Sequence, residues 1–327
     1  MKYVGNVLAV LIFSLLLMGL TQGHATDRPV RMAYLQNDIH HLALWVALEK
    51  NFFREEGVSV EVAGIFRAGP EIMTAFAAGA LDMAYVGEAP ATTAVANKAA
   101  DVVAVAQVNT EGSALVVAKD ASGIVSVADL EGKTVAVPGH STVQDFLLRK
   151  AIGEAMADQQ ADLSKVNIIV VKPPEMIGAL RTGQIDAFVA WEPYPSKANT
   201  LGVGRNLATS HDIWAGHPCC VLVSSSVFLE KASNRVLGVL RAHVKATEYI
   251  GAYPEEALQI GVKYTGMDAK TVETAMKNVH YTYELNVEGE KEYVEFLSEL
   301  KYIKVPDAGA FTERFLRPDM LKSLQSR

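Results

Sequence analysis

The sequence has little of what marks several classes of protein. It contains only two cysteines, Cys219 and Cys220, so disulfide bonds cannot be the main support of a chain of 327 residues. No stretch combines clustered lysine or arginine with aromatic residues, and the net charge is −7, which argues against nucleic acid as a partner. A serine or cysteine nucleophile motif, a glycine-rich phosphate loop and an HExxH motif are also absent. We therefore expect no enzyme, no cofactor and no bound metal.

Long hydrophobic runs are absent except at the N-terminus. Lys2 precedes an apolar run from Val7 to Leu20, and small residues at Gly23 and Ala25 fit a cleavage site. The run is too short to span a bilayer comfortably. Residues 1–25 are thus predicted to be a cleavable secretory signal peptide. Because the residue directly after the cut is Thr26 and not a cysteine, we expect a periplasmic protein without a lipid anchor.

What the sequence has instead is an internal repeat. Residues 70–90 (PEIMTAFAAGALDMAYVGEAP) return as residues 174–194 (PEMIGALRTGQIDAFVAWEPY). Each copy is predicted to form a helix, a turn at Gly79 or Gly183, and a buried strand. Each strand ends in an acidic residue and a proline at the carboxyl edge, where open α/β sheets bind ligands. The repeat predicts two similar α/β halves that face each other across a cleft.

The rest of the chain alternates strand and helix patterns, as in a mostly parallel sheet. Strands are predicted at 30–35, 58–62, 102–108, 133–137 and 166–171, and the pattern from Ala232 onward is helical. Two further apolar segments, 112–119 and 217–224, are interpreted as crossovers between the halves. The predicted division is a first lobe of 26–111 and 220–327, with 112–219 as the second lobe.

Three features suggest how a ligand could be held. Ser141 and Gln144 have the spacing of a capping box, so a helix N-terminus at His140, Ser141 and Thr142 either binds an anion or is plainly capped. Glu88 and Glu192 either hold an ammonium group or cap the helices that follow them. Trp191 is a candidate platform for stacking, since it lies at a strand end.

The histidine pair and the cysteine pair each consist of neighbours. His40 and His41 point in opposite directions in extended backbone, so only one is expected to reach a ligand. Cys219 and Cys220 cannot close an ordinary disulfide, although a strained vicinal disulfide remains an alternative. We expect their side chains to diverge, with one thiol in the core and the other near the mouth of the cleft.

The order and spacing of several motifs resemble the solute-binding proteins of ABC importers in the nitrate, taurine and alkanesulfonate group, which has thiamine-precursor-binding relatives. The motifs are HLALW, FFREEG, GPE, VAVPG and AWEP, together with residues 82–90. The resemblance implies a type II periplasmic binding protein fold, in which two α/β lobes joined by two crossover strands enclose a cleft. It also implies a monomer that closes on a small-molecule solute and delivers it to an ABC permease.

The binding loops of that family map onto a defined set of positions. The implied ligand-binding residues are Gln36, Asn37, His40, His41, Gly69, Pro70, Gly87, Glu88, Ser113, His140, Ser141, Thr142, Trp191, Glu192 and Cys219. These loops hold two carboxylates and no obvious arginine, which departs from the sulfonate binders and argues against a purely anionic ligand. The helix N-terminus favours an acidic head group on the solute. The expected solute is therefore a small anionic or zwitterionic molecule, with a sulfonate or taurine-like molecule first. Nitrate, bicarbonate and thiamine pyrimidines are alternatives, as are a ligand-sensing subunit and a thiamine-pyrimidine-type enzyme on the same fold.

Overall fold

The computed structural model describes residues 28–159 and 165–325. The predicted signal peptide lies outside the described residues. Within them, no helix combines the length and the apolar character needed to cross a membrane.

The described chain alternates strands and helices and ends in a helical region. The strands are β1 (Val30–Leu35), β2 (Val60–Phe66), β3 (Met83–Gly87), β4 (Val102–Glu111), β5 (Ser113–Ala118), β6 (Thr134–Val137), β7 (Asn167–Val170), β8 (Ala187–Trp191), β9 (Gly204–Thr209), β10 (Pro218–Ser225) and β11 (Val279–Tyr281). The helices are α1 (Leu42–Glu49), α2 (Phe52–Glu55), α3 (Gly69–Ala77), α4 (Glu88–Ala96), α5 (Val143–Gln159), α6 (Pro173–Arg181), α7 (Tyr194–Thr200), α8 (Ser210–Ile213), α9 (Ser226–Ala252), α10 (Pro254–Thr265), α11 (Ala269–Lys277), α12 (Val287–Glu299), α13 (Ala308–Phe315) and α14 (Pro318–Gln325). Short 3₁₀ turns form at Ile39–His41 and Val127–Leu130.

The strands of the described residues form two sheets. The first has the order β11-β4-β10-β3-β1-β2 and the second β7-β6-β8-β5-β9. Three neighbouring strands run parallel in each sheet: β2, β1 and β3 in the first, and β7, β6 and β8 in the second. The strand that enters from the other sheet, β10 or β5, runs antiparallel to both of its neighbours. The short strand β11 also pairs antiparallel with β4. Both sheets are therefore mixed. Parallel neighbours need a crossover connection, usually a helix, and a strand that enters from the other sheet has none.

The chain passes between the sheets twice. It leaves the first sheet at Gly112, between β4 and β5, and returns through residues 210–217, between β9 and β10. The segments interpreted as crossovers are thus mainly the strands β5 and β10, and the passages themselves are shorter than expected. We call each sheet with its packed helices a lobe, and we propose that the predicted boundaries at 111/112 and 219/220, which lie at or near these passages, mark the hinge.

The repeat has the predicted structure in both copies. Helix α3 and strand β3 in the first lobe correspond, residue for residue, to α6 and β8 in the second. Gly79 and Gly183 end the helices with the same backbone φ of 68°, a left-handed conformation that glycine adopts without strain. Strands β3 and β8 are buried along their whole length. Their last residues therefore meet at the space between the lobes.

Candidate functional site

A narrow cavity lies between the lobes, at the carboxyl ends of β1, β3 and β8. Its volume is about 10 Å³, which is room for about one water molecule. The lining residues are Leu35, Asp38, His40, Gly69, Gly87, Pro90, Cys219 and Cys220 from the first lobe and Thr142, Val143, Gln144 and Trp191 from the second. The described conformation is therefore closed, and a larger solute requires the lobes to separate.

His40 lies in the first-lobe wall of this cavity and is fully buried. Its Nε2 is 2.8 Å from the carbonyl oxygen of Gly112, which leaves Nδ1 directed at Asp38 and the two cysteines. Gly112 has a φ of +86°, and a Cβ at this position would come within 2.4 Å of His40 Nε2. Only glycine lets the backbone between β4 and β5 approach the imidazole this closely.

Both cysteine side chains face His40, contrary to the prediction that they diverge. Cys219 Sγ and Cys220 Sγ are 3.5 Å and 3.7 Å from His40 Nδ1, and the two sulfurs are 3.9 Å apart. The register of β10 against β4 shifts on both sides of Cys220. This β-bulge breaks the alternation of side chains along the strand. Both side chains are buried, and no disulfide bond joins them.

The buried groups around His40 shift one another's protonation. Burial raises the pKa of Asp38 to about 7 despite the opposing charge of His40. Burial disfavours the imidazolium, but Asp38 and Cys219 raise the pKa of His40 to about 9. Burial likewise opposes ionisation of Cys219, yet the Cys220 thiol and His40 lower its pKa well below the usual value. The arrangement favours a thiolate beside an imidazolium.

The second-lobe wall of the cavity supplies hydrogen-bond donors. Gln144 Nε2 donates to Ser113 Oγ at 3.0 Å, so Ser113 lies behind the wall. Trp191 is 3% exposed, and its Nε1–H has no partner among the described residues. Thr142 and Val143 complete the wall at the first turn of α5. A buried unpaired donor costs free energy unless a ligand or water satisfies it.

The cap of α5 differs from the predicted Ser141–Gln144 box. The Thr142 hydroxyl accepts the Asp145 backbone N–H at 3.2 Å, and the Asp145 carboxylate accepts the Ser141 N–H at 2.9 Å. Ser141 has a φ of +60° and cannot take the extended backbone of an N-cap residue. His140 is exposed and Ser141 half-buried. Neither lines the cavity, so of the predicted anion-binding turn only Thr142 does.

Glu88 is buried in the first lobe and does not line the cavity. Its Oε2 accepts Gln107 Nε2 at 2.8 Å, and its carboxyl group interacts with that of Glu290, which accepts the Thr92 hydroxyl. Burial raises the pKa of Glu88 to about 7. Burial and the charge of Glu88 raise the pKa of Glu290 well above its usual value. The two carboxyls therefore titrate as a pair, and burial favours a form in which one of them stays protonated.

Glu192 is also engaged inside the protein. Its side chain accepts Ser196 N–H at 3.1 Å, Ser196 Oγ–H at 2.9 Å and Asn278 Nδ2–H at 2.7 Å. The contacts to Ser196 cap the start of α7, as the alternative interpretation expected. Glu88 and Glu192 do not face each other across the cleft. The expectation of a two-glutamate ammonium site is wrong for this conformation, because each carboxyl group already has internal partners.

Four more predicted residues lie away from the cavity. Gln36 is exposed and only its backbone N–H bonds, to Phe66. Asn37 occupies a left-handed turn. His41 Nδ1 accepts the Leu35 backbone N–H at 3.2 Å, so it is a core residue. Pro70 lines a separate surface groove.

The structure thus places six predicted residues on the cavity: His40, Gly69, Gly87, Thr142, Trp191 and Cys219. Six others were missed: Leu35, Asp38, Pro90, Val143, Gln144 and Cys220. Asp38 is the most informative of these, since it is 1% exposed and its Oδ2 has no hydrogen-bond partner among the described residues. Its position two residues before His40 was the signal that could have found it.

Ion pairs close the rim of the cleft. Glu71 in α3 accepts Lys172 Nζ of the second lobe at 2.8 Å, and Glu175 in α6 pairs with Arg67 of the first lobe. Glu71 and Glu175 are equivalent positions of the repeat. The rim is therefore held by two ion pairs with approximate two-fold symmetry.

Comparison with known proteins agrees with this architecture. The model of the NMT1-like family matches residues 23–262. A protein of Brucella abortus named as a binding protein is 29% identical over 260 residues, which are 78% of this chain and 77% of the relative. A Bacillus subtilis protein named as an aliphatic sulfonates-binding protein is 27% identical over 243 residues, or 72% of this chain and 70% of the relative. The solved structure of the periplasmic nitrate-binding protein NrtA from Synechocystis PCC 6803 superposes with a TM-score of 0.79 at 15% identity, covering 92% of this chain and 89% of NrtA. This likeness shows the predicted periplasmic binding protein fold.

Proposed function

Because this chain belongs to the NMT1-like family, we propose that it is the periplasmic solute-binding component of an ABC importer. The observation that carries the proposal is the cavity lined by both lobes at the strand ends. A solute that contacts both walls stabilises the closed form by its differential affinity for it. The permease then recognises the closed shape.

The second-lobe wall supports an anionic group on the solute. The unpaired Trp191 Nε1–H and the first turn of α5 offer donors there, and the N-terminal end of a long helix favours negative charge. The relatives described above are named for aliphatic sulfonates and nitrate. We therefore retain a sulfonate as the first candidate and nitrate or bicarbonate as alternatives.

Asp38 takes over the role that the sequence suggested for the two glutamates. It is the carboxylate among the described lining residues, and its Oδ2 lacks a partner. A buried carboxylate gains from a cationic or hydrogen-donating partner. A taurine-like solute would place its sulfonate at Trp191 and its ammonium at Asp38.

A solute screen tests this function. The exported protein is mixed with taurine, alkanesulfonates, nitrate, bicarbonate and thiamine pyrimidines, and thermal unfolding is followed. A solute at about 100 times its Kd adds about 2.7 kcal/mol to the unfolding free energy, so the true ligand raises Tm clearly. Trp191→Ala should abolish the rise, whereas Gln36→Ala, an exposed position off the cavity, should not.

The same screen separates the alternatives. A rise with taurine that Asp38→Asn removes, while alkanesulfonates are unaffected, supports the zwitterion. A rise with nitrate or a pyrimidine alone replaces the sulfonate assignment. No rise with any solute, after unfolding and refolding to strip bound material, contradicts the binding function.

A second function is favoured by one observation, the contact of Cys219 with His40 and of His40 with Asp38. A thiolate beside an imidazolium is the arrangement of a cysteine nucleophile. A thiol enzyme would consume its ligand, whereas a binding protein returns it. Incubation of the protein with each ligand, followed by NMR of the released solute, distinguishes them: unchanged solute supports binding alone.

A further inference from the structure

The side chains in the first-lobe wall form a cluster of which the proposed solute binding uses only Asp38. His40, Cys219 and Cys220 converge within 4.8 Å of one another, and Asp38, His41 and Cys220 do the same. All of these side chains are buried. We infer that His40, Cys219 and Cys220, with Asp38, form a binding site for a thiophilic metal ion such as zinc(II) or copper(I).

The distances carry this inference. In a tetrahedral zinc site, Zn–S bonds of about 2.3 Å and Zn–N bonds of about 2.0 Å separate two sulfurs by about 3.8 Å, and a nitrogen from a sulfur by about 3.5 Å. Here the two sulfurs are 3.9 Å apart, and each is 3.5 Å or 3.7 Å from His40 Nδ1. The three atoms therefore already form one face of a coordination tetrahedron, with little rearrangement required.

The backbone explains how adjacent cysteines reach one ion. Pro218 pairs with Thr110 and Cys220 with Asn109, so Cys219 is the extra residue of a bulge. Regular strand geometry would send the two side chains to opposite faces. The bulge instead turns both sulfurs toward His40. Because bulges re-aim side chains beside functional sites, the distortion points to a use for both thiols together.

A histidine that binds a metal through one ring nitrogen usually donates a hydrogen bond from the other, and His40 has such a contact. Its Nε2 is 2.8 Å from the carbonyl oxygen of Gly112. Donation from Nε2–H to this carbonyl fixes the ring and leaves the Nδ1 lone pair for a metal. Gly112 provides the space, since a Cβ there would clash with Nε2.

Asp38 lies beside this face, grouped with His41 and Cys220 rather than with all three ligands, so either its carboxylate, after a small side-chain movement, or a solvent molecule supplies the fourth ligand. The Asp38 Oδ1 is 3.4 Å from His40 Nδ1, close to the nitrogen–oxygen edge of about 3.3 Å in a tetrahedral site. Its Oδ2 is buried without a hydrogen-bond partner among the described residues. Two sulfurs and an imidazole select zinc(II) or copper(I) over calcium and magnesium, which prefer oxygen ligands.

The test uses the metal alone, so it does not depend on the solute. Reduced, metal-free protein is titrated with zinc(II), and separately with cobalt(II) as a spectroscopic substitute, and both stoichiometry and absorbance are measured. We expect one ion per chain, a thiolate-to-cobalt charge-transfer band and the visible bands of tetrahedral cobalt. Cys219→Ser and Cys220→Ser should each weaken binding at least 100-fold, and Asp38→Asn at least 10-fold.

Controls separate this site from surface binding and from misfolding. His211→Ala removes an exposed histidine that pairs with Glu111 and should leave binding unchanged. Thermal unfolding of each metal-free variant confirms that it folds. The inference is overturned if binding survives both cysteine substitutions, if fewer than one ion binds per reduced chain, or if the exported protein carries a Cys219–Cys220 disulfide that persists under reductant. A failed metal titration would not contradict the proposed solute binding. A failed solute screen would likewise not contradict the proposed metal site.

Discussion

The two copies of the repeat share a scaffold and differ at their ends. In the first copy, Asp82 N–H donates to the Arg31 carbonyl at 3.0 Å and the Asp82 carboxylate accepts the Arg31 N–H at 2.9 Å. In the second, Asp186 makes the same two contacts with Thr134, at 2.9 Å and 2.8 Å. Each aspartate thus ties the start of one strand to the start of its neighbour.

The acidic residues at the strand ends have different surroundings. Glu88 meets Gln107 and the carboxyl of Glu290, all within the first lobe. Glu192 meets Ser196 of its own lobe and Asn278 of the other. The repeated sequence therefore sets the backbone, while residues outside the repeat decide what each glutamate does.

Substitution of the two aspartates is expected to give the largest difference in stability between the two copies. Asp82 is 2% exposed and also binds the side chains of Arg28 and Arg31, whereas Asp186 is half-buried. Hydrogen bonds to charged groups contribute about 1.5–3 kcal/mol. We expect Asp82→Asn to lower the unfolding free energy by about 3 kcal/mol and Asp186→Asn by about 1 kcal/mol in denaturant titrations. Equal losses would mean that the arginine contacts add nothing to the shared backbone role.

A smaller, pH-dependent difference is expected at the glutamates. Burial raises the folded-state pKa of Glu88 to about 7 and that of Glu290 well above its usual value, so the folded chain holds protons that the unfolded chain releases. Their contribution is present below about pH 4.5 and is lost as the pH rises toward 7 and beyond. The Glu290→Gln variant has no carboxyl proton at this position, so its unfolding free energy should fall less than that of the wild type between pH 5 and pH 8.

Glu192→Gln is the matched control for that measurement. The pKa of Glu192 is also raised by burial, but neutral hydrogen-bond donors from Asn278 and Ser196 oppose the shift. Its substitution should change the pH dependence of the unfolding free energy less than Glu290→Gln does. A wild-type chain whose stability does not fall between pH 5 and pH 8 relative to Glu290→Gln would contradict a proton held by the Glu88–Glu290 pair.

The scaffold could be predicted from sequence because local patterns determine it. Strand β1 forms at the predicted residues, and both repeat units keep their helix, glycine turn and strand. Strands β9 and β11 were missed: β9 is half-buried and β11 has three residues, so neither has the apolar run that marks a buried strand. These strands depend on pairing with β5 and β4, which sequence periodicity does not report.

The site was harder to predict because its geometry arises from non-local contacts. A bulge set by pairing with β4 turned Cys219 and Cys220 to one side. The partner of Glu88, Glu290, is distant in sequence, and no local pattern joins them. The end of a strand, in contrast, can be recognised from the local sequence. Trp191 and Gly87 were predicted to bind solute on that basis, and the structure places both on the cavity.

Substitutions in the two ion pairs at the rim are expected to change stability and solute affinity the least. The copies of the repeat are most alike at these positions. Glu71 and Glu175 are about half exposed and pair across the cleft with Lys172 and Arg67, and exposed pairs contribute about 0.2–1 kcal/mol. Glu71→Gln and Glu175→Gln should each leave Tm nearly unchanged but weaken solute binding by about two- to five-fold, because the pairs form only when the lobes close. Calorimetric titration at low salt measures this, and high salt should reduce the wild-type advantage. Unequal losses would show that the symmetric rim closes unevenly, and a loss of Tm without a loss of affinity would show that the pairs support the lobes rather than their closure.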